Sequence, residues 1–123
     1  MSSFNRTDTT ANRLRMAMEQ AGKRQTDLVK ETGIDKGAMS NYLKGKYEPK
    51  QDVVYKLAVA LNVSEMWVWG YDCKRERSDM QKKNDTLSDI VIRMQADDEF
   101  FSVVEAVYEL DPEKLSSLLA FLK

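Results

Sequence analysis

A tight turn between two short amphipathic segments constrains this chain more than any other feature. It lies in residues 25–45, QTDLVKETGIDKGAMSNYLKG. Gly33 stands where a sharp turn needs a positive φ angle, which glycine adopts without a Cβ clash. Asp35 is a good N-cap, because its carboxylate can accept hydrogen bonds from the free amides of the next turn. The spacing therefore predicts one helix that ends at Gly33 and a second that starts at Asp35.

The second of these helices has an apolar side and a polar side. Met39, Tyr42 and Leu43 fall at positions i, i+3 and i+4, so we expect them to face inward. The outward positions are Lys36, Gly37, Ser40, Asn41 and Lys44. This polar face suits a groove of nucleic acid, but an ordinary helical hairpin with a solvated face has the same pattern.

The residues around the turn favour the first interpretation. The positions that carry the match are Gln25, Leu28, Val29, Thr32-Gly33-Ile34, Ser40, Gly45, Pro49, Leu57-Ala58, Leu61-Asn62-Val63-Ser64 and Trp67-Val68-Trp69-Gly70. With this spacing, the chain resembles the lambda-repressor-like family (Cro/repressor-type, XRE) of bacterial and phage helix-turn-helix regulators. Two positions depart from the family pattern: Arg24 stands where a small hydroxyl cap is frequent, and Asp35 replaces the usual Ser.

The resemblance implies an all-α DNA-binding domain of five helices, and periodicity predicts where the remaining helices lie. A first helix is expected from about Thr10 to Ala21, with Gly22 as its stop. A fourth helix should end at Asn62, and Ser64 can cap a fifth. The inward positions are Leu14, Ala17, Met18 and Ala21 on the first helix and Val54, Leu57, Ala58 and Leu61 on the fourth. Aromatic residues of the fifth helix are expected to close the core rather than to bind a ligand. They are Trp67 and Trp69, beside Met66.

The C-terminal part of the chain is predicted to be a linker followed by a small helical segment. Residues 72–85, DCKRERSDMQKKND, contain almost nothing to bury, which is typical of a solvated linker; an exposed helix extension is the alternative. Residues 86–123 show three short amphipathic helices, the last capped by Asp111 with Pro112 at its first position. The predicted organisation is therefore a DNA-binding domain in 1–71, a linker in 72–85 and a helical oligomerisation segment in 86–123.

Charge is distributed unevenly along the chain. Residues 1–77 carry 14 Lys and Arg against 10 Asp and Glu, whereas residues 78–123 carry 5 against 10. A weakly basic domain joined to an acidic segment fits a protein that brings one end to DNA, because phosphate repels like charge. The chain has no apolar run of membrane-spanning length and no apolar signal-peptide core, so we expect a cytoplasmic location without membrane contact.

Catalysis has little support in the sequence. The chain has no histidine, which is the commonest general base, and its single cysteine, Cys73, has no nitrogen ligand to join it in a metal site. The adjacent acids Asp97, Asp98 and Glu99 fall at a predicted helix start, where they favour the helix dipole. We therefore expect no enzyme activity, no metal and no cofactor. A segment of about forty residues is also too short for the self-cleaving peptidase domain that some repressors of this family carry.

The resemblance assigns DNA contacts to individual residues. Gln25, at the start of the second helix, should sit at a phosphate and brace the first exposed residue of the recognition helix. Side chains near the N-terminus of that helix should reach base edges, and Asn41 can bond an adenine edge through two atoms. The predicted base contacts are Lys36, Gly37, Ser40 and Asn41, and the predicted phosphate contacts are Gln25, Lys44, Lys46 and Tyr47.

The C-terminal segment is expected to pair with a second copy of the chain. Specific affinity usually needs two DNA-binding domains on half-sites, and a unit of about forty residues seldom folds unaided. The predicted interface residues are Phe100, Phe101, Val104, Leu115 and Leu118. The alternative is that this segment packs back on its own DNA-binding domain.

The whole arrangement is similar to peptidase-lacking lysogeny repressors of temperate phages of Gram-positive bacteria. This resemblance implies a repressor that binds palindromic operator DNA as a dimer or higher oligomer and is relieved by a small antirepressor protein. An antitoxin-like protein is the alternative: its C-terminal segment would grip a partner protein, and its DNA-binding domain would regulate its own transcription.

Overall fold

The computed structural model describes residues 5–123, and these residues form eight α-helices and two isolated β-bridges. The helices are α1 (Thr10–Ala21), α2 (Gln25–Thr32), α3 (Lys36–Lys44), α4 (Gln51–Leu61), α5 (Glu65–Val68), α6 (Asp79–Ala96), α7 (Asp98–Tyr108) and α8 (Pro112–Leu122). The predicted all-α class is thereby confirmed. Residues 1–4, which begin the polar N-terminal arm, lie outside the described residues. None of the helices found in 5–123 is long and apolar enough to cross a membrane.

The chain divides into two units, a head that ends at Lys82 and a tail of Lys83–Lys123. Helices α1 to α5 pack together in the head around one apolar core. The largest side chains with almost no exposed surface are Leu14, Leu28, Met39, Leu57, Val54, Val63 and Val68. Met39 and Leu43 of α3 are buried and Tyr42 packs against the core, which is the inward face that the spacing predicts.

The predicted helix ends are present. Gly33 ends α2 with φ 72°, and Gly22 ends α1 with φ 66°. The Asp35 carboxylate accepts a hydrogen bond from the backbone N–H of Ala38 over 3.1 Å, so it caps α3. Asn62 ends α4 at φ 57°, a left-handed conformation that asparagine tolerates better than most residues.

The fifth helix begins where predicted, but Ser64 does not cap it. Ser64 occupies the N-cap position, yet its side chain makes no capping hydrogen bond. Its backbone N–H instead donates to the carbonyl oxygen of Arg75 over 2.8 Å, in a segment expected to be solvated. Trp67 is buried with 6% of its surface exposed and Trp69 packs against the core, so both aromatic residues help to close it, as predicted.

Residues 72–85 do not form the predicted solvated linker. Their first half packs against the head, and their second half begins α6. Arg77 is buried, with 5% of its surface exposed, and donates to the carbonyl oxygen of Val63 over 3.0 Å. Glu76 forms a β-bridge with Val63, and Cys73 packs against the core. From Asp79 onward the chain is helical, which matches the alternative of a helix extension. The charged composition predicted a solvated linker, but an arginine can be buried when backbone carbonyl oxygens accept its hydrogen bonds.

The tail helices are amphipathic and have little cover. None of the residues that form α6, α7 and α8 is buried. Asp97 caps α7 through the backbone N–H of Phe100 over 3.0 Å, and Asp111 caps α8 through that of Lys114 over 2.9 Å. Among the predicted interface residues, Phe101 and Leu115 are exposed, whereas Phe100, Val104 and Leu118 are half-buried.

Candidate nucleic-acid interface

Helix α3 presents its polar side outward because its apolar side is anchored in the core of the head. Met39 has no exposed surface and Leu43 has 9% exposed, so rotation of the helix would uncover both side chains. The predicted base-contacting residues lie on the other side. Lys36 and Gly37 are exposed, and Ser40 and Asn41 are half-buried. The first two turns of α3 therefore present the Lys36 ammonium, the Ser40 hydroxyl and the Asn41 amide to a ligand.

The start of α2 lies against the start of α3. Gln25 is the first residue of α2, and its side-chain Nε2 donates to the backbone carbonyl oxygen of Lys36 over 3.5 Å. The contact is long for a hydrogen bond and joins the glutamine to the backbone of Lys36 rather than to its side chain. Gln25 is half-buried and remains near the first residue of the outward face of α3.

The N-cap residue of α2, Arg24, supplies no capping side chain. Arg24 has no hydroxyl with which to cap the helix, and the Asp27 carboxylate accepts a hydrogen bond from the Arg24 backbone N–H over 2.8 Å instead. That hydrogen bond, helped by the Arg24 charge, lowers the pKa of Asp27 below its usual value. This contact is the return half of a capping box, in which the side chain at the third helical position accepts from the N-cap N–H, and it ties Arg24 to the first turn of α2.

Gly37 leaves room for the capping carboxylate of α3. A Cβ atom at this position would lie 3.1 Å from Oδ2 of Asp35, which is the oxygen that accepts the Ala38 N–H. Glycine therefore keeps the cap undisturbed and leaves the backbone of the exposed first turn uncovered.

The predicted phosphate contacts continue at the end of α3. Gly45 closes the helix with φ 77°, and Lys44, Lys46 and Tyr47 are all exposed. The Lys46 ammonium lies 5.6 Å from the centre of the Tyr47 ring, so the two side chains stand together on the loop. A cleft of about 370 Å³ separates this loop from the first turns of α1. Its lining residues include Thr9, Asn12, Arg15, Lys44 and Tyr47.

Two arginines that the sequence analysis did not single out support this end of α3. Arg15 on α1 donates to the backbone carbonyl oxygen of Leu43, in the last turn of α3. Arg6 in the N-terminal arm pairs with Glu48, in the loop that follows α3. Cations are known to favour helix C-termini, but this preference does not identify which distant arginine will contact the C-terminus of α3.

No group of three or more His, Cys, Asp or Glu side chains is placed to hold a metal ion in the part of the chain that the structure describes.

The chain was compared with known proteins. No curated protein matches it. The solved structures that are similar include the transcriptional regulator BswR and a transcriptional regulator from Listeria innocua. BswR shares 22% identity with a TM-score of 0.45, and the match covers 91% of this chain and 90% of that one. The Listeria protein shares 17% identity with a TM-score of 0.47, and the match covers 85% of this chain and 96% of that one. Residues 14–68 match the family model for helix-turn-helix domains, a span that includes α2, the Gly33 turn and α3. This part of the head, which includes α2 and α3, is therefore similar to helix-turn-helix domains.

Proposed function

We propose that this protein is a transcriptional repressor that binds a specific operator through the outward face of α3. The observation that supports the proposal is the two-sided build of this helix. Its apolar side is buried at Met39 and Leu43, while its polar side carries Lys36, Ser40 and Asn41 toward solvent. The major groove of B-DNA admits an α-helix, and base edges there display donors and acceptors that such side chains can recognise.

The proposed contacts divide by their position along α3. Lys36, Gly37, Ser40 and Asn41 lie in the first turns, where recognition helices of this class meet base edges. Asn41 can hold the N6 and N7 edge of adenine, and Lys36 can donate to guanine. Lys44, Lys46 and Tyr47 lie at the helix end and in the loop, where the sugar-phosphate backbone passes; Gln25 reaches phosphate from α2.

We further propose that the tail joins two copies of the chain. None of the residues of α7 and α8 is buried, and these helices expose large aromatic side chains, with 44% of Phe101, 84% of Tyr108 and 83% of Phe121 accessible. An aromatic side chain buries roughly 150 to 250 Å². Scaled by their exposed fractions, these three offer about 300 to 500 Å², and exposed leucines such as Leu115 and Leu119 add to it, so the tail can supply a large part of the roughly 800 Å² per partner of a standard interface.

The role as a lysogeny repressor extends this proposal. It is supported by the resemblance of the head to lambda-repressor-like regulators. In such a repressor, a protein partner such as an antirepressor would relieve repression. The predicted interface residues Phe100, Phe101, Val104, Leu115 and Leu118 are the tail positions that we assign to pairing.

A second candidate function follows from the same uncovered tail. In an antitoxin-like protein, α7 and α8 would bind a partner protein of a different sequence, and the head would regulate its own promoter. The two candidates differ in what purified protein should do. A repressor that pairs through its tail should be dimeric alone, whereas an antitoxin-like tail should lack stable helical structure without its partner.

Selection of binding sites from random duplex DNA by the full chain tests the proposed function. We expect enrichment of a two-fold symmetric site with half-sites about one helical turn apart, because two heads would bind together. The matched control is the variant Asn41→Ala, which should still bind but should lose preference at one base pair in each half-site. Failure of the wild-type chain to enrich any sequence would contradict the proposal.

A further inference from the structure

One face of α6 carries a stripe that is exposed although it is largely apolar. Asn84, Leu87, Val91 and Met94 follow each other at intervals of three, four and three residues. Half of the surface of Leu87 and 47% of that of Val91 are accessible, Asn84 is exposed, and Met94 is half-buried. Met80, seven residues before Leu87 and 65% exposed, continues the same spacing toward the start of the helix.

This spacing is the heptad pattern of a two-stranded coiled coil. Asn84 and Val91 take the a positions, and Met80, Leu87 and Met94 take the d positions. A β-branched residue at a with leucine at d favours two strands, and a single asparagine at a specifies register and oligomer state. The stripe therefore has the composition of a surface that pairs with a copy of itself.

We propose that α6 pairs in parallel with α6 of a second copy of this chain, with Asn84 against the same residue of that copy. This inference rests on the proposed function, because it names the surface that orients the two heads. Helix α6 starts at Asp79 and the head ends at Lys82, so a parallel pair places both heads at the N-terminal end of the paired helices. Two heads at one end can bind two half-sites of a single DNA duplex, whereas an antiparallel pair would separate them by the length of the helix.

The asparagine decides between the two orientations. In a parallel pair, Asn84 meets its own copy, and the two amides can donate and accept hydrogen bonds to each other. In an antiparallel pair, a positions lie opposite d positions, so Asn84 would face an apolar side chain such as Leu87, which offers no hydrogen-bonding group. A buried amide left without a partner costs about 1 to 3 kcal/mol. The parallel arrangement is therefore favoured.

The charges of α6 permit this approach. At 100° per residue, Asp85 and Asp89 lie on the side of the helix away from Leu87. The residues that flank the stripe are Lys83, Ser88, Ile90 and Gln95. In a parallel pair, Lys83 would approach Ser88 of the other copy, so no acidic side chains are forced together although the tail as a whole is acidic.

The stripe is too short to hold the dimer alone. It spans about two heptads, and coiled coils are usually sustained over three or four. The exposed apolar faces of α7 and α8 supply the additional area, as proposed above. Helix α6 would then contribute orientation and register, and the following helices would contribute most of the buried surface.

Disulfide trapping in the full chain tests the orientation. In a Cys73→Ser background, we expect Asn84→Cys and Val91→Cys each to form a covalent dimer under mild oxidation, because each residue faces its own copy. The variant Asp89→Cys, on the opposite side of α6, is the control and should stay largely monomeric on a denaturing gel. If neither Asn84→Cys nor Val91→Cys links to its own copy, the two α6 helices are not paired in parallel and the inference is wrong.

Sedimentation of a matched pair of variants tests the stripe itself. Leu87→Asp places a charge on the stripe, whereas Ile92→Asp makes the same change at a residue that is 62% exposed and lies off it. We expect Leu87→Asp to raise the dimer dissociation constant by about tenfold or more, equivalent to about 1.4 kcal/mol, and Ile92→Asp to change it much less. Equal effects of the two variants would contradict the proposal. Circular dichroism of both variants should match the wild type, since both positions are exposed.

The outcomes separate this inference from the proposed function. Selection of a symmetric operator without any link at position 84 or 91 would leave the repressor proposal standing and would overturn parallel pairing through α6. Covalent dimers at both positions in a chain that selects no DNA sequence would support the pairing and contradict the repressor.

Discussion

The guanidinium group of Arg13 donates a hydrogen bond to the carbonyl oxygen of Trp67 over 2.9 Å and also lies 4.8 Å from the centre of the Trp67 ring. A second hydrogen bond reaches the carbonyl oxygen of Tyr71 over 3.2 Å, and Asp8 pairs with the same side chain at 3.1 Å. Arg13 is 8% exposed. One buried charge thus ties α1 to α5 and to the N-terminal arm, and its carboxylate partner and carbonyl acceptors offset the cost of burying it.

Replacement of Arg13 should therefore destabilise the head strongly. We expect Arg13→Met to lower the free energy of unfolding by about 3 kcal/mol or more, because it leaves Asp8 without its ion pair and removes the guanidinium hydrogen bonds to the carbonyl oxygens of Trp67 and Tyr71. Urea unfolding of the full chain, followed by circular dichroism, measures the change. Arg24→Met is the matched control: the Arg24 side chain is 83% exposed, and the same substitution should change stability by less than about 0.5 kcal/mol.

A second close contact joins the arm to the end of α5. Gly70 has φ 97°, and a Cβ atom there would lie 2.1 Å from the carbonyl oxygen of Asp8. The Gly70 carbonyl oxygen accepts hydrogen bonds from the backbone N–H groups of Thr7 and Asp8 over 2.8 and 3.1 Å. Only a residue without a side chain allows the arm to approach this closely.

We expect Gly70→Ala to cost about 3 kcal/mol or more in the free energy of unfolding, through backbone strain and loss of the arm hydrogen bonds. The control is Gly22→Ala, at φ 66° with nothing within 4 Å of the added Cβ. It should carry the backbone cost alone, about 1 to 2 kcal/mol. Thermal unfolding of both variants makes the comparison. Equal losses would show that the approach of the arm to Gly70 adds nothing to stability.

The thiol of Cys73 reports on the packing of the segment after α5. Burial raises the pKa of this thiol above the ordinary value of 9.0, so the thiolate fraction near pH 8 is small. We expect a maleimide or disulfide reagent to modify Cys73 much more slowly in the folded chain than in urea. A rate in native buffer equal to that in urea would place Cys73 in open solvent and contradict its packing against the core.

The helix-turn-helix was predictable because its signals are local. Each signal depends only on residues close by in the sequence. These signals are a glycine that ends one helix in the left-handed conformation, an aspartate that caps the next helix, and apolar residues spaced three and four apart. Gly33, Asp35 and Met39 therefore take the conformations and burial that the spacing predicts. The DNA contacts assigned to Lys36 and Asn41 remain predictions.

The prediction for residues 72–85 was wrong because contacts in this segment are made with residues far away in the sequence. Arg77 is the clearest case, since nothing near it in the sequence indicates that the Val63 carbonyl oxygen and the Glu65 carboxylate will meet it. The hydrogen bond from the Ser64 backbone N–H to the carbonyl oxygen of Arg75 likewise joins residues that are distant in the sequence. Hydrophobic periodicity cannot identify a buried charge whose partners lie more than ten residues away.

The position of Arg77 gives a prediction about where the head ends. We expect a chain that stops at Lys82 to keep the stability of the head, whereas a chain that stops at Tyr71 should be less stable by about 2 kcal/mol or more. The shorter chain loses the Arg77 hydrogen bond to Val63 and its ion pair with Glu65, together with the cover over Ser64. Urea unfolding of the two fragments compares them. Equal stability would restore the sequence-based boundary at residue 71.

The two ends of α3 should respond differently when their side chains are removed. We expect Asn41→Ala to weaken operator binding by about 1 to 3 kcal/mol and to relax selectivity at one base pair, because Asn41 would read a base edge. Lys44→Ala should weaken binding to operator and random DNA alike and reduce the salt slope by about one unit, because it would neutralise a phosphate. Lys56→Ala, which removes the same charge from α4, is the control. It should leave the salt slopes on operator and on random DNA near the wild-type values. Titrations of each variant on both DNAs at several salt concentrations provide the measurement. An Asn41→Ala variant that loses affinity equally on operator and random DNA would show that this residue holds the backbone instead of a base.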